Sequence, residues 1–222
     1  MRIYLIRHGD PDYRNDSLTE PGRLEAEALS VYLKSIEVDR LYSSPLGRAR
    51  ATASFSEETL GLKAEVLDWT AELELRSNDG SSAAWDTNPV ELRAMELDEN
   101  QEWKNTVQRI AASSDQWLEG LGWRRNGCGY KFISPVSSDK ELQVAVFCHG
   151  GFGLTWLSHL LNIPVTHVWS SFFLHTSSVT TVLFDEREPS VATPRIISLS
   201  SLPHLYHAGL TPSTAGIKAN YY

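Results

Sequence analysis

The chain has 222 residues, of which 41% are hydrophobic and 22% charged, the balance of an ordinary globular protein long enough to bury a full core. Twenty Lys and Arg stand against 28 Asp and Glu, a net charge of −8 that argues against a general binder of nucleic acid or of an anionic membrane. No apolar run approaches the roughly 18 residues of a membrane helix, and only four consecutive apolar residues precede Arg7, so neither a membrane span nor a secretory signal is expected. Two cysteines, Cys128 and Cys148, make no disulfide framework; they are expected as reduced thiols in a cytoplasmic protein.

Ile3 to Ile6 predicts a short buried strand, and Arg7-His8-Gly9-Asp10-Pro11-Asp12 the loop leaving its C-terminal end. Thr19 is a good N-cap for an amphipathic helix that carries Leu24, Ala28, Leu29, Tyr32, Leu33 and Ile36 on its apolar face. Arg40 to Ser43 predicts a second strand. A helix from Pro45 to about Leu60 follows, closed by Gly61, and then a third strand at Ala64 to Leu67. Strand and helix alternate, the signature of a parallel α/β sheet.

Residues 73–140 break that rhythm. A loop-like stretch at 77–82 precedes helical sequence from Pro89 to about Gly120. The stretch holds Trp85, Trp103, Trp117 and Trp123, which are read as core packing, so a mainly helical insertion is expected. Its acidic run, Glu91, Glu96, Asp98, Glu99 and Glu102, reads as a solvated helix face. Leu142 to Cys148 predicts a central strand, and His149-Gly150-Gly151 opens a helix through Leu161. Val179–Phe184 and Val191–Leu199 read as two further strands, and residues from about 200 to 222 as a surface tail. The expected whole is one domain over residues 1–222: a three-layer α/β sandwich with a mostly parallel central sheet and helices on both faces.

In open α/β sheets the site lies outside the carboxyl ends of the strands. Those ends deliver Arg7-His8-Gly9, then Ser43-Ser44-Pro45 with Arg48 one turn on, then His149-Gly150-Gly151. Two guanidiniums offer forked donors for phosphate oxygens. The helix after Gly150 adds backbone N–H groups for an anion, and two imidazoles add a nucleophile and a proton donor. His159, His167, His175, His204 and His207 lack such a context and read as packing or surface residues.

Arg7-His8-Gly9, Ser43-Ser44-Pro45-Leu46-Gly47-Arg48-Ala49 with Thr52-Ala53, and Cys148-His149-Gly150-Gly151, with Leu18-Thr19-Glu20-Pro21-Gly22, resemble the histidine phosphatase superfamily, also called phosphoglycerate mutase-like. The resemblance covers about residues 1–70 and 140–185. It implies metal-free and cofactor-free hydrolysis of a small phosphomonoester. His8 would carry the phosphoryl group, with Arg7, Arg48, His149 and Gly150 about the phosphate. Neighbouring guanidiniums would lower the His8 pKa and keep it neutral. A proton donor following the third strand is also implied. Glu72 fits that place with Glu74 as rival, and periodicity does not separate them.

The loop Asp10-Pro11-Asp12-Tyr13-Arg14-Asn15 departs from the hydroxyl-and-asparagine pattern of many members, which sets the mutase subgroup apart from this chain. Trp123-Arg124-Arg125 is similar to an arginine pair that mutases use on substrate, but stands much further from the acid. Mutase-type phosphotransfer and a non-catalytic module that binds phosphorylated ligands are the alternatives. A cysteine-dependent phosphatase would need an arginine at Leu154, and a dinucleotide loop a glycine at Trp156. A divalent ion held by His8, Asp10, Asp12 and His149 would be repelled by the flanking arginines. The leaving group and the oligomeric state are not legible in the residues.

Overall fold

The computed structural model describes residues 1–77, 80, 82–133, 140–188 and 190–217. In chain order these form β1 (Arg2–Arg7), the short ribbon β2 (Pro11–Asp12) and β3 (Ser17–Leu18), α1 (Glu20–Ser35), β4 (Arg40–Ser43), α2 (Gly47–Leu60) and β5 (Ala64–Val66). The insertion supplies α3 (Pro89–Ala94), α4 (Gln101–Gly120), β6 (Trp123–Asn126) and β7 (Gly129–Phe132). Then come β8 (Gln143–Cys148), α5 (Gly150–Leu161), α6 (Val165–Ser171), β9 (Val179–Glu188), β10 (Val191–Ser201) and α7 (Pro203–Ala208).

The α/β architecture is the one the sequence implies. Among the described residues the main sheet has eight strands in the order β5-β4-β8-β1-β9-β10-β7-β6. The four strands from β5 to β1 run parallel, and the sheet continues antiparallel beyond β1. Alternation along each central strand splits the interior into two cores. Tyr4, Ile6, Leu41, Ala145 and Phe147 pack on one face with Leu29 and Leu33 of α1 and Ala53 of α2. Ile3, Leu5, Tyr42, Val144 and Val146 pack on the other with Trp103, Ile110, Phe152, Trp156 and Trp169. A central strand buried on both faces reads as an uninterrupted apolar run, as Val144 to Cys148 does.

Thr19 caps α1, its hydroxyl accepting from the Gly22 N–H at 3.1 Å. The buried stripe of α1 is Gly22, Glu25, Ala26, Leu29, Ser30 and Leu33, while Leu24, expected on that face, is 43% exposed. The rotation follows from a backbone contact. A Cβ on Gly22 would stand 2.2 Å from the Asp10 carbonyl oxygen, so the first turn of α1 lies directly on the loop leaving β1.

The insertion departs from expectation in two ways. Its helical stretch is broken after Ala94, passes through a 3-10 turn at Leu97–Glu99, and restarts where the Asn100 side chain accepts from the Trp103 N–H. It then ends in the β6–β7 hairpin, which joins the main sheet against β10. Glu91, Glu96, Glu99 and Glu102 are exposed. Trp103 and Trp123 are fully buried, whereas Trp85 and Trp117 keep partial exposure. Residues 134–139, and Asn78, Asp79 and Ser81 of the loop read at 77–82, lie outside the described residues.

The C-terminal segment is a correction to the surface tail expected from its composition. His204 and Leu205 of α7 are buried, with α7 packed along α1. Further on, the Ser213 hydroxyl donates to the Asp10 carboxylate, which ties the segment back to the loop after β1. Residues 218–222 are not among those described. Helix α6, which no periodicity announced, packs on α5 and α3.

Replacing Gly22 by alanine forces the α1–loop contact apart. Overpacking of this kind costs about 1–3 kcal/mol. Urea unfolding of Gly22→Ala is expected to show a loss of that size at unchanged m-value, and an unchanged midpoint would refute the close approach.

Candidate active site

Three strand ends arrive abreast because the ladder of β1, β8 and β4 continues one residue past each strand. The His8 N–H donates to the Cys148 carbonyl at 3.0 Å and the Ser44 N–H to the Phe147 carbonyl at 2.8 Å. Parallel register therefore delivers His8, Ser44 and His149 to one edge of the sheet. The His8 and His149 rings lie 5.2 Å apart, centroid to centroid, and both residues are buried.

The hydrogen bond of the His8 imidazole fixes its proton. His8 Nδ1 meets the Gly9 carbonyl oxygen at 2.8 Å, and a carbonyl only accepts, so the ring proton sits on Nδ1 and the lone pair on Nε2. His149 Nε2 lies 2.7 Å from the Ser44 hydroxyl. That oxygen also accepts from the Leu46 N–H at 3.3 Å and keeps both a proton and a second lone pair to offer Nε2, so this contact is compatible with either neutral tautomer of His149. Burial first, then the Arg7 and Arg48 charges, push His8 down to about 3. Burial and the neighbouring His8 and guanidiniums depress His149 as well.

Arg7 leaves β1 with its Nη1 donating to the Leu174 carbonyl at 2.5 Å, and Gly150 backs onto its Nε. Arg48, in the first turn of α2, is gripped by Asp16: Nη1 to Oδ1 is 2.6 Å, while Asp16 Oδ2 accepts from the Gly47 N–H at 2.6 Å. The second bond caps a helix whose N-cap residue, Leu46, has no side-chain acceptor, and α2 accordingly begins at Gly47 rather than Pro45. Only glycine fits at 47, where a Cβ would fall 2.1 Å from the Asp16 carbonyl oxygen. Thr52 ties the two loops together, accepting from the Gly9 N–H at 3.0 Å and donating to the Arg48 carbonyl at 2.8 Å. Arg7 Nε, Arg48 Nε and His149 Nδ1 are buried nitrogens without a hydrogen-bond partner among the described residues.

Glu72 lies at the N-terminus of α5. Its Oε1 accepts from the Phe152 N–H at 2.8 Å and the Leu73 N–H at 3.0 Å, and its Oε2 from the Gly151 N–H at 3.2 Å. The helix N–H groups expected to face an anionic ligand are thus engaged by this carboxylate. Burial raises the Glu72 pKa, opposed by those three hydrogen bonds and by Arg7. Glu74 is exposed and lines a surface pocket with Arg76 and Ala83.

The remaining singled-out residues have other roles. Asp12 is occupied by its own loop, accepting from the Arg14 N–H, the Asn15 N–H and the Asn15 amide. Arg124 pairs with Glu119 at 2.6 Å, and Arg125 stacks on Tyr130 and donates to the His159 carbonyl, so both arginines serve the hairpin. His159 bonds Asp115 at 2.8 Å, and His204 lies 3.1 Å from the Ser177 hydroxyl. Cys128 and Cys148 are free thiols. Among the described residues no three His, Cys, Asp or Glu side chains are grouped as metal ligands would be. Sequence reasoning missed Asp16 and also Glu25, whose buried carboxylate accepts from the Asp10 N–H at 2.9 Å. Asp16 has one legible signal, its place in a polar turn, where it adopts φ +45°.

An unperturbed histidine, with pKa about 6.5, is mostly protonated at pH 5. His8 and His149 are expected to remain neutral there, His8 as the Nδ1–H tautomer. Imidazole nitrogen shifts followed by NMR from pH 8 to pH 4.5 check this, and a titration of His8 near pH 6.5 would contradict it.

Residues 3–196 match the model of the histidine phosphatase superfamily (branch 1). A probable phosphatase of Schizosaccharomyces pombe is 27% identical over 179 residues, covering 75% of this chain and 73% of that protein. The adenosylcobalamin/alpha-ribazole phosphatase of Salmonella typhimurium is 24% identical over 191 residues, covering 76% and 84%. Among solved structures, mycobacterial glucosyl-3-phosphoglycerate phosphatase superposes with a TM-score of 0.66 at 21% identity, over 90% of this chain and 98% of the other. Since the family model spans all but the ends of the chain and takes in each of the strand-end motifs, this protein belongs to the histidine phosphatase superfamily, branch 1.

Proposed function

We propose that the protein hydrolyses a small phosphomonoester through a phosphohistidine on His8. One observation carries this reading: two guanidiniums present buried, unpartnered Nε donors, and His149 an unpartnered Nδ1, near a second imidazole whose free nitrogen is Nε2. Buried donors left without partners are costly, about 1–3 kcal/mol each, and a phosphoryl group has the acceptor oxygens to satisfy them.

His8 Nε2 attacks phosphorus and forms the P–N bond as the ester P–O bond breaks. Glu72, whose protonated form is favoured by burial, gives its proton to the departing oxygen. The resulting Glu72 carboxylate then takes a proton from water, whose oxygen attacks phosphorus. The P–N bond breaks, and phosphate leaves. Arg7, Arg48 and His149 bind the equatorial oxygens, where charge accumulates in each transition state; one such donor is worth about 10²- to 10³-fold in rate. Gly150 keeps the space beside Arg7 open. Asp16 is a positioning residue that orients Arg48. The two free thiols suit a reducing compartment such as the cytoplasm, and no helix of the described residues is long and apolar enough to cross a membrane.

His8→Ala is expected to abolish turnover of a phosphomonoester panel and to prevent acid-labile labelling of the protein by phosphorylated substrate. Glu72→Gln is expected to lower kcat by about 10²- to 10⁴-fold for an alkyl phosphate, the usual contribution of a general acid, with Glu74→Gln near wild type. Activity is expected to survive a chelator. Turnover by His8→Ala, or loss of wild-type activity with chelator, would overturn the mechanism. Transfer to a second hydroxyl instead of water would indicate the mutase reaction.

A further inference from the structure

Beyond the groups that hold phosphate, the most conspicuous feature of this end of the molecule is aromatic. Tyr13, in the loop between β2 and β3, is 66% exposed, with the Arg48 guanidinium over its ring at 5.5 Å. Phe173, following α6, is 36% exposed, with Arg7 over its ring at 5.8 Å. Trp85, from the insertion, retains partial exposure. It lies against the first turn of α5, so that a Cβ on Gly151 would meet three atoms of its six-membered ring at 2.5 Å. Gly151 is the residue whose N–H binds Glu72.

Single exposed apolar side chains are ordinary on protein surfaces. These three come from three distant segments, and each touches a different part of the phosphate-holding or proton-donating apparatus. The carboxylates at this end, Asp10 and Asp16, oppose a leaving group that carries its own negative charge. A flat, uncharged leaving group would have aromatic surface beside Arg48, Arg7 and the first turn of α5 to pack on, a contact worth a few-fold in binding per ring.

We propose that Tyr13, Trp85 and Phe173 form the leaving-group subsite and select an aryl phosphomonoester, a phosphate ester of an uncharged aromatic alcohol. This rests on the phosphatase reading for its reaction but not for its binding. An aryl oxygen leaves as a phenolate, whose conjugate acid has a pKa of about 10, and so depends less on protonation than an alkoxide does. Glu72→Gln therefore harms aryl ester turnover less than alkyl ester turnover.

The test compares phenylphosphonate with methylphosphonate, two dianions that differ in the ring alone, by calorimetry on the full chain. Phenylphosphonate is expected to bind at least tenfold tighter. Tyr13→Ala, Trp85→Leu and Phe173→Leu are each expected to weaken it about 3- to 10-fold, as loss of a ring contact implies, while leaving methylphosphonate and inorganic phosphate within twofold. In turnover the same variants raise KM for 1-naphthyl phosphate and leave glycerol-2-phosphate unchanged. Equal affinity of the two phosphonates in wild type would overturn the proposal. So would a parallel loss of inorganic phosphate binding in the variants, which would make the rings supports for Arg7 and Arg48. Tight phenylphosphonate binding without turnover of any ester would leave the subsite standing and refute the phosphatase reading.

Discussion

The structure is organised around positive charge held below the surface. Arg7 and Arg48 sit at the ends of β1 and at the start of α2, where water does not reach their Nε atoms. Charge in that position is unfavourable unless it is paired or well hydrogen-bonded. The surroundings supply only part of what is needed: a backbone carbonyl for Arg7 and one carboxylate for Arg48. Residual donor capacity, at the Nε of each arginine, is what an anion can use.

Removal of water acts on the two titrating partners in opposite directions. Burial lowers His8 and raises Glu72, because it penalises whichever form carries charge. In the proposed mechanism the nucleophile needs its lone pair and the acid its proton, so one physical cause prepares both. The arginines reinforce the histidine effect and oppose the glutamate effect. The three N–H groups around Glu72 then matter after the first proton transfer, when the carboxylate must exist long enough to activate water. The acid and the nucleophile are thereby tuned by one environment but secured by separate elements, the end of α5 and the end of β1.

The legible part of the fold is the part with local causes. Ile3 to Ile6 and Val144 to Cys148 could only be central strands, and Thr19 and Gly61 mark helix ends by their own chemistry; Gly61 takes φ +66° as the last residue of such a helix should. The strand-end motifs placed Arg7, His8, Arg48 and His149 in one region because strand direction alone brings them there. What escaped depends on distant partners. The β6–β7 hairpin is stabilised by β10, more than 50 residues later, and its polar Arg124-Arg125-Asn126 run has no apolar alternation of its own. The C-terminal segment looks like a tail until Asp10 is known to meet Ser213. On an extended segment Glu72 and Glu74 would share a face, and only the N-terminus of α5, which engages Glu72, separates them.

The net charge of −8 and an anion-binding site are compatible because they act at different distances. Surface carboxylates such as Glu91, Glu96 and Glu102 face water, which screens them within about 10 Å at ordinary ionic strength. The arginines act at contact distance in a medium of lower permittivity, where a single charge weighs several times more. A long polyanion samples the exterior and is repelled along its length, whereas in the proposed function one phosphoryl group passes the rim to reach the arginines. The phosphoryl group is common to all small phosphates, so selection among them rests on the charge and shape of the leaving group. It falls to whatever borders the arginines, and the bordering side chains are the rings of Tyr13 and Phe173, with Trp85 against the neighbouring turn of α5.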